Sequence, residues 1–347
     1  MTDPAQDTVD VERVLAEWGA VTQDAVLSRI PDDRHSAFLY DVMRDYPSRP
    51  SKFLRPALCL AACECFGGQV AEALDAAVAI ELMHNAFLIH DDIADGSVQR
   101  RGRPTLHEAH GIGTALNAGD GLAVLAQKTL RQAVRGLDVG LGARLLDEFD
   151  LMSARTIEGQ AMELGWAANG LTDVRTEDYL DLVMHKSCWY TTIHPLRIGA
   201  IIGSRGAADV EPMIRFGFHL GAAFQIRDDV LNLVGDEGTY GKEIGGDLYE
   251  GKRTLMLIHL SEVATGSDRA LLDDYLRADR SGRTDSLVAE VMAMMERHGS
   301  ITFAQAYGDT IADEAHKAFE IAFASAPPSP ARDFIEALIP YMLDRNR

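Results

Sequence analysis

Hydrophobic residues recur every three or four positions over most of the chain, which is the spacing that places them on one face of an α-helix. Alternating segments typical of strands, with hairpin turns between them, are nearly absent. The pattern predicts helices over residues 9–30, 52–66, 70–95, 114–134, 141–165, 176–203, 209–234, 254–262, 284–298, 300–324 and 331–344. We therefore expect an all-α protein, a single bundle of about ten or more helices with its site built in the core from facing helices.

Proline and glycine cluster between the helical segments, as in "YPSRPSK", "NGLTD" and "APPSPA", and mark the turns. Pro56 fits the first turn of its helix. Pro195 lies inside an apolar helical stretch and should kink or break it. Because no low-complexity linker divides the chain, we expect one domain over residues 1–347.

The net charge limits the classes of molecule that the protein is expected to bind. The 347 residues include 53 acidic and 33 basic side chains, for a formal net charge of −20. This balance argues against nonspecific binding to nucleic acid or to an anionic membrane, although a few cations in one cleft can still bind an anionic substrate. No apolar run approaches about 18 residues, so no membrane span is expected. The four cysteines do not follow a zinc spacing, and a reducing, cytoplasmic compartment is expected.

Three aspartates end the apolar segment 70–95. Asp91 and Asp95, four residues apart, share one helix face, and Asp92 points about 100° to one side. Two carboxylates on one face repel each other unless a cation lies between them, and hard oxygen ligands of this kind suit Mg²⁺. A solvated helix end is the alternative. Since the preceding residues are mostly apolar, we expect this helix end to face a cavity instead.

A second acidic cluster repeats this spacing. Asp228 and Asp229 are followed by Asn232 four residues after Asp228, again near the end of an apolar helix, "FGFHLGAAFQIRDDVLNLV". Two buried helices that present acids at the same spacing indicate a shared group of divalent ions.

Basic residues are placed to bind an anion beside these ions. They are Lys52, Arg55, Arg100, Arg101, Lys186, Lys242 and Lys252. Each alone would be read as a surface residue, but together with the acids they indicate a Mg²⁺–diphosphate site. No nucleophile triad or phosphate-binding GxxxxGK[ST] loop is present. Cations around a diphosphate could stabilise its departure from an allylic carbon, and an apolar pocket could shield the resulting carbocation from water.

The motifs resemble those of the trans-isoprenyl diphosphate synthases, also called the polyprenyl synthetase family, and most of all its geranylgeranyl diphosphate synthases. "DDIAD" followed by "RRGRPT" is similar to the family's first aspartate-rich motif, and "FQIRDD" to its second. "SKFLRP", "ELMH", "HKSCWYT" and "GGDLYEGKRTL" follow the family's order, and the resemblance covers about 50 to about 260. It implies the isoprenoid synthase fold with a deep central cavity, commonly a homodimer. It also implies head-to-tail condensation of isopentenyl diphosphate with an allylic diphosphate of C5 to C15, assisted by three Mg²⁺.

The resemblance also assigns roles by position. Asp91 and Asp95 would hold two ions and Asp228 the third, with Asp92 and Asp229 in support. Isopentenyl diphosphate would be bound by Lys52, Arg55, His84 and Arg101. The allylic diphosphate would be surrounded by Arg100, Lys186, Ser187, Gln225, Lys242 and Lys252.

Three positions depart from the family pattern. Ser51 replaces a usual glycine, Ser187 a common threonine, and Asn232 the third aspartate of many second motifs. His84 by itself would be read as a satisfied core histidine, but it lies two turns before Asp91 on nearly the same face, which favours diphosphate binding.

Bulk just before the first motif limits product length in this family. Phe87 and Ala86 lie four and five residues before Asp91, and Met83 could form part of the pocket floor. The small residue at the fifth position favours a deep pocket and the C20 product, geranylgeranyl diphosphate, while C15 and C25 remain open. A class I terpene cyclase and a non-catalytic regulatory subunit are the alternatives. A cyclase would not need a second diphosphate pocket, and regulatory subunits tend to lose the aspartates and basic residues that this chain keeps.

Overall fold

The computed structural model describes residues 9–33, 35–235 and 244–343, and nearly all regular structure in these ranges is helical. The α-helices are α1 Val11–Arg29, α2 Tyr40–Asp45, α3 Leu54–Cys65, α4 Val70–Asp95, α5 Leu106–His110, α6 Ile112–Ala133, α7 Val139–Ala168, α8 Thr176–Val183, α9 His194–Gly203, α10 Pro212–Val234, α11 Gly246–Glu250, α12 Leu255–Val263, α13 Gly266–Arg277, α14 Asp285–Arg297, α15 Ser300–Ala322 and α16 Pro330–Leu343. A small hairpin pairs β1 (Gln99–Arg100) with β2 (Arg103–Pro104). The all-α prediction is confirmed.

The apolar pattern located the long helices closely, since α4 matches the predicted segment 70–95 at both ends. It missed the short helices α2, α5 and α11, which contain at most six residues each and cannot show a full helical repeat. It also missed α13, a largely polar helix that buries Leu272, Tyr275 and Leu276. Short or polar helices depend on tertiary contacts more than on their own pattern.

The predicted segment 176–203 changes helix type along its length. Residues Met184–Ile193, between α8 and α9, form a π-helix. Pro195 lies in the first turn of α9, where its missing N–H is tolerated, so the expected break at this proline is a change of hydrogen-bonding pattern. π-Helical turns are frequent at functional sites, and this segment carries Lys186 and Ser187.

The core is a bundle in which α4 packs on α6, α3 on α9, and α10 on α15. Close approach of α3 and α9 requires glycine at position 199, where a Cβ atom would lie 2.1 Å from the carbonyl oxygen of Cys59. All four cysteines are buried thiols, and burial raises the pKa of Cys63 to about 12. None of the helices within the described residues combines the length and the apolar character needed to cross a bilayer.

A buried network of ion pairs joins α7 to α9. Glu148 accepts hydrogen bonds from the Arg197 guanidinium at 2.6 and 2.9 Å, and its Oε2 lies 2.8 Å from Nδ1 of His194. Burial alone would raise the pKa of Glu148, but hydrogen bonds with His194 and Arg197 lower it to about 2. The charged carboxylate therefore holds the two helices in one relative position.

Candidate active site

One stripe of α4 faces a cavity of about 250 Å³ between the helices. His84, Leu88 and Asp91 line it, and their spacings of four and three residues place them on one helix face. The helix ends directly after Asp95 because Gly96 adopts a left-handed conformation, with φ 64°, as helix-ending glycines commonly do. Asp91 therefore lies at the cavity, near the end of a buried helix.

A third acid from another helix joins Asp91 and Asp95. Asp91, Asp95 and Glu163 of α7 each offer a carboxylate oxygen within 4.8 Å of the others. Lys186 contacts two of these acids. Its Nζ lies 3.2 Å from Oδ1 of Asp91 and is in direct contact with the carboxylate of Glu163. This contact depends on Gly159, one turn before Glu163, where a Cβ atom would lie 2.2 Å from the backbone nitrogen of Lys186.

Positive charge is distributed unevenly over the acid cluster. Burial would raise the pKa of Asp91, but Lys186, Lys252 and Arg100 outweigh it and hold that pKa below its usual range. Burial raises the pKa of Asp95 against the attraction of Lys252, and the neighbouring Asp91 adds to the rise. A divalent cation would relieve this repulsion, and three convergent carboxylates are hard oxygen ligands of the kind that Mg²⁺ prefers. The residues present therefore fit such an ion.

The second acidic motif, on α10, lines the same cavity. Asp228 and Asp229 both reach it, so the two aspartate motifs face one space. Asp229 accepts hydrogen bonds from the Tyr179 hydroxyl and from Nε2 of Gln225, both at 2.8 Å. Ser187 in turn donates to Oε1 of Gln225 at 2.8 Å. Burial, with a contribution from Asp247, raises the pKa of Asp229.

Two residues of the aspartate motifs point away from the cavity. The carboxylate of Asp92 is buried, accepts three bonds of 2.6 to 2.8 Å from Arg100, and also accepts one from the Tyr46 hydroxyl. Asn232 is buried as well, and its Oδ1 accepts from the backbone nitrogen of Asp247 at 3.2 Å. Asp92 therefore orients Arg100, and Asn232 fixes the segment that brings Asp247 to the cavity.

Lys252, which also lines this cavity, pairs with several acids. Its Nζ lies 3.3 Å from Asp95, 3.3 Å from Asp247 and 2.6 Å from Glu250. Sequence reasoning assigned Lys252 to the site but missed Asp247, and it missed Glu163 as well. The sequence offered a weak signal for each of them. Asp247 stands in the stretch "GGDLYEGKRTL", and Glu163 lies one turn after Gly159 on the buried face of α7.

A second cavity, of about 260 Å³, adjoins the first and shares Arg55, His84 and Arg101 with it. Arg55 donates to the Tyr190 hydroxyl at 2.8 Å and to the Thr191 hydroxyl at 2.9 Å. Its other terminal nitrogen lies 3.3 Å from Nε2 of His84, whose pKa is lowered by burial and by Arg55, so the imidazole is neutral.

The other two cations of the second cavity also contact hydroxyl groups. Nζ of Lys52 lies 3.1 Å from the hydroxyl of Tyr341, which α16 contributes near the C-terminus. Arg101 donates to the Ser51 hydroxyl at 3.3 Å. The hydrogen bonds of Arg55 and Arg101 to hydroxyl groups orient these two guanidinium groups and leave their charge in place.

The two cavities differ in their carboxylates. The first is lined by Asp91, Glu163, Asp228, Asp229 and Asp247, whereas the charged side chains among the described residues that line the second are Lys52, Arg55 and Arg101. In the first cavity Arg100, Lys186 and Lys252 each pair with at least one carboxylate, and further acids remain. In the second cavity the hydrogen bonds of Arg55 and Arg101 described above are to hydroxyl groups and to His84, and the buried Glu81 carboxyl attracts both guanidinium groups. The carboxylates of the first cavity would repel an anion unless cations are added, and the lining of the second cavity is more favourable to one.

The remaining predicted residues lie as follows. The Phe87 ring packs edge-on against Tyr190, with centroids 5.7 Å apart, one turn below Asp91. Ala86 and Met83 are buried on α4. Lys242 lies outside the described residues.

Comparison with known proteins identifies a matching family model and similar sequences. A family model described as polyprenyl synthetase matches residues 36–295. A short chain isoprenyl diphosphate synthase of Methanothermobacter thermautotrophicus is 31% identical over 92% of this chain and 96% of its own. A geranylfarnesyl diphosphate synthase of Natronomonas pharaonis is 28% identical over 97% of this chain and 98% of its own.

A solved structure shares the whole architecture. The crystal structure of a geranylgeranyl pyrophosphate synthetase from Pyrococcus horikoshii superposes with a TM-score of 0.84 at 30% identity. The superposition covers 96% of this chain and 99% of that one.

Proposed function

The chain belongs to the polyprenyl synthetase family and is a prenyltransferase, and we propose that it makes all-trans geranylgeranyl diphosphate. Enzymes of this family use isopentenyl diphosphate and allylic diphosphates as substrates. The proposed reaction joins isopentenyl diphosphate head to tail with C5 to C15 allylic diphosphates. The observation that carries the proposal is the pair of adjoining cavities, one lined by several carboxylates and the other by Lys52, Arg55 and Arg101.

The acid-rich cavity is the proposed site of the allylic diphosphate and its metal ions. The family is magnesium-dependent, and three ions are proposed here. Asp91, Asp95, Glu163 and Asp228 would hold them, with Asp92 and Asp229 in support. Magnesium bound there would neutralise the charge that develops on a departing diphosphate.

The cations around that cavity would bind diphosphate oxygens. Arg100 is held by Asp92, and Lys186 and Lys252 are held by the acid cluster, so all three side chains are oriented before substrate binds. Ser187 and Gln225 form a hydrogen-bonded pair at the cavity wall and are proposed ligands as well. Lys242 completes the proposed set.

The cation-rich cavity is the proposed site of isopentenyl diphosphate. Lys52, Arg55 and Arg101 would bind the diphosphate without metal, and neutral His84 can donate or accept one hydrogen bond. Because the two cavities adjoin at Arg55 and His84, the double bond of isopentenyl diphosphate would lie beside the ionising allylic carbon.

The function is tested by incubating the pure protein with isopentenyl diphosphate, Mg²⁺ and each of the C5, C10 and C15 starters. The dephosphorylated products are then sized by chromatography. We expect C20 to dominate with all three starters. Hydrocarbon released without isopentenyl diphosphate would identify a terpene cyclase, and turnover only after adding a partner protein would identify a regulatory subunit.

We expect Phe87→Ala to lengthen the product by at least one C5 unit. Phe87 lies one helical turn before Asp91 and packs on Tyr190. Removing its ring would open space for the growing chain beside Met83 and Ala86, which are buried on the same helix. Product chromatography measures the result, with Phe38→Ala, which alters a ring that is 79% exposed, as the control. An unchanged product length would place the pocket floor elsewhere.

We further propose that residues 1–347 form one domain, which assembles as a homodimer in the cytoplasm. One continuous apolar core includes residues from Val11 to Met342, in support of a single domain. On α6 and α7, Val124 and Val139 are 68% and 87% exposed, and Ile112 and Ile157 are more than half exposed. Exposed apolar side chains of this kind would be covered in a dimer.

A further inference from the structure

Ser51, in the loop before α3, lines the cation-rich cavity next to Lys52. Its Oγ accepts a hydrogen bond from Arg101 at 3.3 Å and one from the backbone nitrogen of Phe53 at 3.4 Å. A hydroxyl group has two lone pairs and one proton, so these bonds occupy both of its acceptor positions. Among the described residues, no acceptor is found for its own proton, which is therefore available to a bound anion.

Arg101 lies in the turn between β1 and β2, close to other cations. Its backbone has φ 52°, a left-handed conformation that few residues other than glycine adopt. Burial lowers the pKa of Arg101, and the like charges of Arg100 and Arg55 lower it further against the attraction of Glu81. Across the described residues, Ser51 is the group that receives a hydrogen bond from this guanidinium.

We propose that Ser51 is a diphosphate-binding residue of the second cavity, which both orients Arg101 and donates its own hydroxyl to a diphosphate oxygen. This inference rests on the proposed function, since it assumes that isopentenyl diphosphate binds in this cavity. A hydroxyl suits the task because it fixes the guanidinium while leaving its charge for the substrate. A carboxylate at the same place would neutralise Arg101 and repel the diphosphate.

The test is steady-state kinetics with each substrate varied in turn. Ser51→Ala is expected to raise KM for isopentenyl diphosphate about tenfold, because a hydrogen bond to a charged group is lost. KM for the allylic diphosphate and kcat should stay within about twofold, since those depend on the other cavity. Ser51→Thr keeps the hydroxyl and should restore KM to near the wild-type value.

Ser51→Asp separates orientation from charge. It still accepts from Arg101 but carries a negative charge, so its KM for isopentenyl diphosphate should exceed that of Ser51→Ala. The matched control is Ser48→Ala, three residues earlier, whose hydroxyl donates to the carbonyl of Arg44 at 2.6 Å. Ser51→Cys, close in size to the native residue, repeats the test should circular dichroism show that Ser51→Ala is unfolded.

The outcomes separate this inference from the proposed function. Wild-type protein that incorporates no isopentenyl diphosphate would overturn both. Active wild-type protein together with an unchanged KM in Ser51→Ala would overturn the role of Ser51 alone. An equal rise in KM for both substrates would also overturn it, because that result indicates a general structural effect.

Discussion

Asp91→Asn is expected to lower kcat for condensation by about 10³-fold while the helical fold stays intact. Asp91 shares one small space with Asp95 and Glu163, and a neutral amide there would weaken cation binding. Asp228→Asn should behave similarly, because Asp228 lines the same cavity from α10. Incorporation of radiolabelled isopentenyl diphosphate measures the loss, and circular dichroism checks the fold.

The matched control is Asp120→Asn, an aspartate on α6 whose side chain is 73% exposed. We expect it to keep wild-type activity and the wild-type magnesium requirement. A residual activity of Asp91→Asn should rise with added Mg²⁺, since mass action can offset a weakened site. Activity near the wild-type level in both Asp91→Asn and Asp228→Asn would remove the metal assignment.

Arg55→Met is expected to raise KM for isopentenyl diphosphate about 10²-fold with the magnesium requirement unchanged. Arg55 lies at the junction of the two cavities, and its guanidinium carbon is 4.4 Å from the centroid of the Tyr190 ring. Methionine fills much of the same volume but has no charge. Initial rates at fixed allylic diphosphate and varied isopentenyl diphosphate measure the effect.

The Arg55→Lys variant separates the effect of charge from that of the guanidinium geometry. Lysine keeps the charge but cannot reproduce the planar set of donors, so its KM should fall between those of wild type and Arg55→Met. Arg144→Met serves as the control, since Arg144 donates to the carbonyl of Gly206 in a different cavity. A rise in KM for the allylic substrate, with that for isopentenyl diphosphate unchanged, would reverse the assignment of the two cavities.

Several site residues were predictable because they share a helix. His84, Asp91 and Asp95 lie at intervals that keep them on one face of α4, and the apolar residues before them indicated burial. Asp228 follows the same reasoning near the end of the apolar helix α10. Local periodicity is a property of the chain itself, so no knowledge of neighbouring helices was needed.

Other residues were not predictable because their roles depend on a distant partner. Glu163 meets Lys186 from a different helix, and that contact requires the close approach at Gly159. Asp92 was expected to support the metal ions, and its carboxylate is bound by Arg100 and Tyr46. Side chains one position apart on a helix point in different directions, and only packing decides which direction is the cavity.

The amino-acid sequence alone determined the helical class, the bounds of the long helices, the two aspartate motifs and the resemblance to a family of prenyltransferases. These depend on short-range spacing and on residue chemistry, which a linear chain displays directly. The tertiary structure alone showed two adjoining cavities that share Arg55, His84 and Arg101, and hydroxyl groups that bind Arg55 and Arg101. The contact of Ser51 with Arg101 joins residues 50 positions apart, and only folding brings such groups together.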